Sequence, residues 1–128
     1  MTMPKINTFD IDGVIYFGEE FTGVRPCEED IIITGRSFEQ REETTEMLHS
    51  RGIYNRVLMN PLTREDSRYS RLSSGYHKAQ TIWDLKEKGY EIGLHFEDDP
   101  IQIEAIREAH PNLQIIHMIR EGEDLIGY

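Results

Sequence analysis

The chain contains a single cysteine, Cys27, and no long run of apolar residues. One thiol excludes an intramolecular disulfide and a cluster of thiolate metal ligands. No segment approaches the roughly 20 apolar residues that a membrane-spanning helix needs, and the first residues contain no apolar signal-peptide core. We therefore expect a cytoplasmic protein that makes no contact with a membrane.

Basic residues are also scarce, since 14 Lys and Arg residues face 24 Asp and Glu residues and the net charge is −10. A uniformly acidic surface repels nucleic acids and anionic lipids. The basic residues are unevenly distributed, however, because residues 51–78 include six of them and only two acidic residues. Within this segment, the Arg-rich stretch 56–71 is either a solvated loop or a substrate-binding patch.

The residues that are present are typical of a folded domain, with 38% of the 128 residues apolar and 30% charged. A chain of this length can bury one core, so we predict a single domain at 1–128. The first strand begins at residue 5 and leaves the core at Asp10, and a small hairpin of 14–17 and 21–25 follows it. We predict further strands at 30–35, 54–60, 91–97 and 112–119, helices at 38–51, 76–88 and 100–110, an irregular connection at 61–75 and a polar tail at 120–128.

Strands that alternate with helices imply βαβ crossovers and a mostly parallel sheet with helices on both faces. We therefore predict an α/β fold with three layers. In such a fold the ligand crevice lies at the carboxyl ends of the strands. Three polar groups fall at predicted strand ends, so we expect them to meet at one edge: Asp10 with Asp12, Thr34 with Gly35 and Arg36, and Asp98 with Asp99.

Crowded carboxylates repel one another unless a cation lies among them, and oxygen ligands without Cys or paired His favour Mg²⁺. Lys78, which we predict at the start of a helix, supplies a second positive charge. The hydroxyl of Thr34 and the backbone amides around Gly13 and Gly35 are donors for phosphate oxygens. Together these groups suit phosphoryl transfer, which depends on positioning and charge stabilisation.

Four short motifs carry a family resemblance. FDIDGVI, IIITGR, HKAQTI and LHFEDDP occur in this order between residues 9 and 100, and they resemble the four motifs of the haloacid dehalogenase-like phosphohydrolases. The resemblance implies a Rossmann-like three-layer sandwich, a Mg²⁺ cofactor and hydrolysis of a phosphomonoester through an aspartyl-phosphate.

The resemblance also implies a role for each matching residue. Asp10 would be the nucleophile and a metal ligand, and Asp12 would be the acid–base whose backbone carbonyl contacts the metal. Thr34 and Lys78 would contact the phosphoryl group, with Gly13, Gly35 and Arg36 binding substrate. Three consecutive acids leave the last metal ligand open among residues 97–99, although relatives that end this strand in Asp–Asp favour Asp98 and Asp99.

No cap domain fits in the short connections of this chain. An open site implies either a large substrate that covers it or a homo-oligomer in which a partner subunit acts as the lid. The motifs most resemble the phosphatase domains of polynucleotide kinase–phosphatases and their small phage-type relatives, which implies a nucleotide or a nucleic-acid terminal 3′-phosphate as substrate. Two alternatives are a phosphatase of a small non-nucleotide metabolite and a catalytically silent binding or regulatory module.

Overall fold

Six strands and three α-helices alternate in the part of the chain that the computed structural model describes, residues 5–18 and 23–128. The strands are β1 (Lys5–Phe9), β2 (Ile31–Ser37), β3 (Val57–Asn60), β4 (Glu91–Glu97), β5 (Gln114–Glu121) and β6 (Asp124–Gly127). The helices are α1 (Arg41–Ser50), α2 (Arg71–Glu87) and α3 (Pro100–Ala109), and a 3₁₀ turn at Phe38–Gln40 precedes α1.

The strands form one sheet in the order β3-β2-β1-β4-β5-β6. All neighbours are parallel except β5 and β6, which are antiparallel. Phe9, the last residue of β1, pairs with Ile32 of β2 and Phe96 of β4. The carboxyl ends of these three strands therefore lie at the same edge, and the predicted α/β fold with a mostly parallel sheet is confirmed.

Each face of the sheet packs against its own apolar cluster. Because side chains alternate between the faces of a strand, Ile31 and Ile33 belong to the cluster under α2 and α3, whereas Ile32 belongs to the opposite one. The opposite cluster contains Leu48 of α1 and the buried side chains of 11, 14 and 15. Burying each such side chain stabilises the fold by about 1.5–3 kcal/mol. The apolar clusters on both faces therefore stabilise the sheet.

Local signals explain two of the helix starts. Ser37 accepts a hydrogen bond from the backbone of Glu39, and the side chain of Gln40 accepts one from the backbone of Ser37, which together form a capping box. Asp99 caps α3 by accepting from the Ile101 amide, and Pro100 occupies the first helical position. The predicted beginning of α3 at Pro100 is thereby confirmed, whereas the helix predicted from residue 38 starts as a 3₁₀ turn and becomes α-helical only at Arg41.

The prediction for α2 was wrong at its beginning. The helix starts at Arg71 rather than at residue 76, because Ser70 and Ser73 form a capping box that extends it toward the N-terminus. Lys78 is consequently the eighth residue of α2 and does not open the helix as predicted. The irregular connection ends at residue 70.

The predicted polar tail was also wrong, because its residues form β6 against β5. The two strands are joined by a two-residue loop that begins with Gly122, whose φ is +62°. Glycine with positive φ at the first loop position is typical of tight hairpins.

Between β1 and β2, the described residues on either side of 19–22 are hydrogen-bonded to each other. The Gly23 amide donates to the Ile15 carbonyl, and the Val24 amide donates to the Val14 carbonyl. These bonds join the two sides of the predicted hairpin, whereas its tip at 19–22 lies outside the described residues. Among the described helices, none has the length and apolar character needed to cross a membrane.

Candidate functional site

A cavity of about 990 Å³ opens at the carboxyl edge of the sheet. Most of the predicted site residues line it, and residues of α1, α2 and α3 complete its wall. The lining residues are Asp10, Asp12, Tyr16, Gly35, Arg36, Gln40, Glu43, Met47, Tyr69, Ser70, Arg71, Ser74, Lys78, Asp98, Asp99, Pro100 and Gln102.

Lys78 links two buried carboxylates in this cavity. Its Nζ lies 3.0 Å from Oδ1 of Asp10 and 2.6 Å from Oε1 of Glu97. The three side chains are 1%, 7% and 0% exposed, respectively. Asp10 directly follows β1 and Glu97 ends β4, so two parallel strands bring the acids to one ammonium group that reaches them from α2.

This group contains one ammonium, that of Lys78, and two carboxylates, those of Asp10 and Glu97. Burial alone would lower the pKa of Lys78, but Asp10 and Glu97 together raise it above its usual value. Burial also favours the neutral form of Glu97, yet Lys78 and His95 overcome this effect and hold the pKa of Glu97 well below its usual range. Lys78 and Glu97 therefore form a fully charged pair.

Asp10 and Asp98 are the two acids whose ionised forms the surroundings disfavour. Burial raises the pKa of Asp10 well above its usual range, against the attraction of Lys78. Burial raises the pKa of Asp98 to about 6, and repulsion from Glu97 adds to the effect. A cation placed between them would relieve both penalties.

Asp10, Glu97 and Asp98 each offer one oxygen to a group whose members all lie within 4.8 Å of one another. Carboxylate oxygens are hard ligands of the kind that Mg²⁺ prefers. The backbone at Gly13 approaches Asp98 so closely that a Cβ at this position would overlap the Asp98 carboxylate. The donor set therefore fits a hard divalent cation, held against the turn that follows β1.

The Asp12 side chain lies outside this group because it pairs with Arg36. The guanidinium donates two hydrogen bonds to the Asp12 carboxylate, at 2.8 and 2.7 Å, and a third to Oγ1 of Thr44 at 3.1 Å. The Arg36 guanidinium also lies 5.6 Å from the ring centroid of Tyr16. The Asp12 side chain remains 56% exposed at the cavity, so it faces the space that a ligand would enter.

Asp99, which the sequence favoured as a metal ligand, is not brought into the group of three carboxylates. Both of its oxygens accept from Arg71 at 2.8 Å, and they also accept from the Ile101 amide and the Gln102 side chain. These bonds lower the pKa of Asp99, with Arg71 as the main cause. Asp99 thus caps α3 and ties it to α2.

The end of β2 supplies the remaining predicted residues. Thr34 is fully buried, and its Oγ1 accepts from the Arg36 amide at 3.1 Å. A Cβ at Gly35 would lie 2.7 Å from Oγ of Ser74, so glycine permits the close approach of α2. The Tyr69 hydroxyl donates to the Gly35 carbonyl at 3.0 Å and joins the Arg-rich loop to this strand end.

Sequence reasoning missed the importance of Glu97 and His95. His95 is fully buried, and its Nε2 lies 3.2 Å from Oε1 of Glu97 while its Nδ1 lies 2.8 Å from Oγ1 of Thr8. Burial lowers the pKa of His95 despite the nearby carboxylate. The alternation of β4 carried a signal for this pair, because residues 95 and 97 share one face of the strand while Phe96 stacks on Phe9 on the other.

Most arginines of the stretch 56–71 are paired with acids. Arg64 lies 3.4 Å from Glu39, Arg68 lies 2.8 Å from Asp66, and Arg71 binds Asp99 as described above. The locally basic segment therefore presents less positive charge than its composition indicates.

In comparisons with known proteins, the chain has no significant match to a family model, to a curated protein or to a solved structure.

Proposed function

We propose that the protein is a Mg²⁺-dependent phosphatase of the haloacid dehalogenase-like type, which hydrolyses a phosphomonoester through a phosphorylated Asp10. One observation carries the proposal. A buried carboxylate, Asp10, lies at a cavity wall between an ammonium group, Lys78, and a second carboxylate of a possible cation site, Asp98. This arrangement provides a nucleophile and two positions for positive charge beside it.

The sheet topology supports a Rossmann-like reading of the fold. The chain passes from β1 outward to β2 and β3, and then crosses to β4 on the other side of β1. The strand order therefore changes direction between β1 and β4, and ligands of open parallel sheets bind at such a switch point. Asp10 follows β1, and Glu97 and Asp98 stand at the end of β4, so the cluster occupies this position.

In the first step, a carboxylate oxygen of Asp10 attacks the phosphorus atom and the bond from phosphorus to the leaving oxygen breaks. Asp12 donates a proton to that oxygen. The Lys78 ammonium, 3.0 Å from Asp10, holds the nucleophile in place and offsets negative charge on the transferring group.

In the second step, Asp12 takes a proton from water as the water oxygen attacks phosphorus, and the bond between Asp10 and phosphorus breaks to release phosphate. Asp12 suits both tasks because its side chain is exposed at the cavity, unlike that of Asp10. In the observed pair both Asp12 oxygens accept from Arg36, so one of these hydrogen bonds must break before Asp12 can carry the proton that the first step requires.

Asp10, Glu97 and Asp98 are the side chains that would hold Mg²⁺. When bound, the cation supplies charge stabilisation for the phosphoryl oxygens. Within the described residues, one ammonium group, that of Lys78, faces these carboxylates, so a metal ion would supply the positive charge that they lack.

A nucleotide or a nucleic-acid terminal 3′-phosphate is the proposed substrate. A cavity of about 990 Å³ far exceeds the size of a phosphate group and is large enough for a nucleotide. Arg36 of β2 and Arg71 of α2 both line the cavity, each paired with an aspartate, and would bind a second anionic group by exchanging that carboxylate for it.

Phosphate release from an aryl phosphate tests the reaction. We expect activity with Mg²⁺, its loss with EDTA and its return with added Mg²⁺. Asp10→Asn should lower kcat by at least about 1,000-fold, because the nucleophile is removed. Asp84→Asn, which changes an exposed acid on α2 outside the cavity, is the matched control and should keep full activity. Full activity of Asp10→Asn would refute the assignment of the nucleophile.

A substrate panel tests the leaving group. We expect kcat/KM to be higher for 3′-phosphorylated oligonucleotides and mononucleotides than for sugar phosphates. A clear preference for sugar phosphates would replace the nucleotide proposal with that of a metabolite phosphatase.

A further inference from the structure

A line of buried contacts runs behind the cavity wall, from Thr8 through His95 and Glu97 to Lys78 and Asp10. The joining distances are 2.8 Å from Thr8 to His95, 3.2 Å from His95 to Glu97, 2.6 Å from Glu97 to Lys78 and 3.0 Å from Lys78 to Asp10. All five residues are at most 5% exposed. His95 lies outside the cavity lining, so a substrate would not contact it.

Hydrogen-bond chemistry fixes the direction of these contacts. The Glu97 carboxylate only accepts hydrogen bonds, so Nε2 of His95 must carry the proton that it donates. Nδ1 of the neutral ring is then an acceptor, and the Thr8 hydroxyl donates to it. Glu97 therefore selects the tautomer of His95, and the Thr8 hydroxyl, which can donate or accept, donates to Nδ1 and holds the ring in place.

The other atoms of Glu97 are constrained as well. Oε1 accepts from both His95 and Lys78, while Oε2 faces the backbone amides of Asp98 and Asp99 at 3.2 and 3.4 Å. Without His95, Oε1 would lose one of its two side-chain donors and the carboxylate could rotate toward the solvent side of the cluster. The Lys78 ammonium would then lose the contact that places it against Asp10.

We infer that His95 is a positioning residue: as a neutral Nε2–H donor oriented by Thr8, it fixes Glu97 so that Lys78 stays on the nucleophile Asp10. The inference rests on the proposed phosphatase function. It separates His95 from a histidine that merely fills the core, because such a residue affects stability and leaves the chemical step unchanged.

The experiment compares His95→Leu, His95→Gln and His110→Leu in the full chain with Mg²⁺ and an aryl phosphate. His110 is the matched control, since it is also buried and hydrogen-bonded, to the Ala79 carbonyl, but lies away from the cavity. We expect His95→Leu to lower kcat by about 10- to 100-fold, as loss of an outer partner of a metal-site ligand does, with little change in KM. His95→Gln keeps an N–H donor and should recover most of kcat, and His110→Leu should lower Tm with kcat retained.

Three further measurements test the route through Glu97. In a Glu97→Gln background, His95→Leu should add little to the loss of kcat, because both changes break the same contact. Nitrogen chemical shifts of the wild-type ring should show a protonated Nε2 and an unprotonated Nδ1. Thr8→Val removes the hydroxyl that holds Nδ1, so the ring should be less well oriented toward Glu97 and kcat should fall in the same direction. This nearly isosteric variant decides the matter if His95→Leu does not fold.

The outcomes are distinguishable. An active wild type whose kcat is unchanged in His95→Leu or in Thr8→Val overturns the inference alone, as does equal loss in His95→Leu and His95→Gln, or an Nδ1-protonated ring. A wild type that releases no phosphate from any substrate of the panel overturns the proposed function, and with it the inference.

Discussion

At the scale of single residues, Gly13 combines two constraints that glycine alone satisfies. Its φ is +82°, a left-handed conformation that costs other residues about 1–2 kcal/mol. A side chain there would also overlap the Asp98 carboxylate. Gly18 has a similar φ of +90°, yet among the described residues, its chain neighbours aside, no atom lies within 4 Å of the place that its Cβ would occupy. A substitution at Gly18 therefore introduces backbone strain alone, whereas one at Gly13 introduces the same strain and also displaces Asp98.

We predict that Gly13→Ala and Gly18→Ala lose similar backbone stability but differ in activity. Gly18→Ala should lower the free energy of unfolding by about 1–2 kcal/mol, the cost of the left-handed conformation, and keep kcat. Gly13→Ala should also push Asp98 out of place, and a displacement of about 1 Å in a catalytic site can cost about 100-fold in rate. Urea unfolding, phosphate release and the Mg²⁺ concentration for half-maximal activity measure the difference. Equal activity of the two variants would contradict a role for Asp98 beside Gly13.

At the scale of secondary-structure elements, His110 connects α2 and α3 through a neutral ring. Its Nε2 donates to the Ala79 carbonyl at 2.9 Å, and its Nδ1 accepts from the Lys86 ammonium at 3.0 Å. A protonated ring would direct an N–H toward that ammonium group. Burial lowers the pKa of His110, and the charge of Lys86 adds to the effect.

The stability of the fold should therefore depend on pH through His110. A histidine whose folded-state pKa is lowered binds its proton more readily in the unfolded chain, so its contribution is present above the unfolded pKa of about 6.5 and is lost as pH falls below it. We expect the free energy of unfolding to decrease from about pH 8 to about pH 5, with a shallower decrease in His110→Gln. The glutamine can still donate to the Ala79 carbonyl but cannot titrate in this range.

Urea unfolding at several pH values measures the effect. His95 and His77 also have lowered pKa values, so the difference between wild type and His110→Gln isolates the contribution of His110. Lys86→Met removes the neighbouring charge and should reduce the pH dependence in part. Parallel profiles for wild type and His110→Gln would contradict the prediction.

The bounds of the helices and strands also show which features could be predicted from the sequence. The bounds predicted for β4, 91–97, are those observed, because an apolar run ends there in acids and a proline. The start of α2 was missed because Ser73 and Gly75 are weak helix formers, and a capping box with packing against α3 overrides their propensity. β6 was missed because its four residues carry a weak strand pattern and are held in place by pairing with β5.

The sequence predicted where the candidate site lies but not which of its side chains pair with one another. Parallel strands bring their carboxyl ends together, which is sufficient to expect Asp10 near Asp98. Which acid meets which base depends on side-chain rotamers from different elements, so the pairing of Asp99 with Arg71 could not be read from spacing. The role of Glu97 was missed for the same reason, because its partners come from α2 and from its own strand.

At the scale of the whole molecule, the charge distribution opposes the approach of a polyanion. The net charge is −10, and Arg36, Arg64, Arg68 and Arg71 are each within 4.0 Å of a carboxylate. A proposed nucleic-acid substrate therefore meets a repulsive field at long range and attractive groups only inside the cavity.

This repulsion predicts an unusual response to salt. The Debye length shortens from about 30 Å at 0.01 M to about 8 Å at 0.15 M ionic strength, which screens the net charge before it screens contacts within the cavity. We expect kcat/KM for a 3′-phosphorylated oligonucleotide to rise over this range at constant Mg²⁺. A 3′-phosphorylated mononucleoside, which carries fewer charges, should change less and serves as the matched control.

Steady-state phosphate release at several salt concentrations measures both slopes. A protein that binds nucleic acid through exposed basic side chains shows the opposite behaviour, because each phosphate contact releases counterions and affinity falls steeply with salt. A steep fall for the oligonucleotide would therefore mean that the arginines of 56–71 leave their carboxylate partners to bind the strand. A rise would mean that only the terminal phosphate and its nucleoside are bound in the cavity, and that the paired arginines serve the fold.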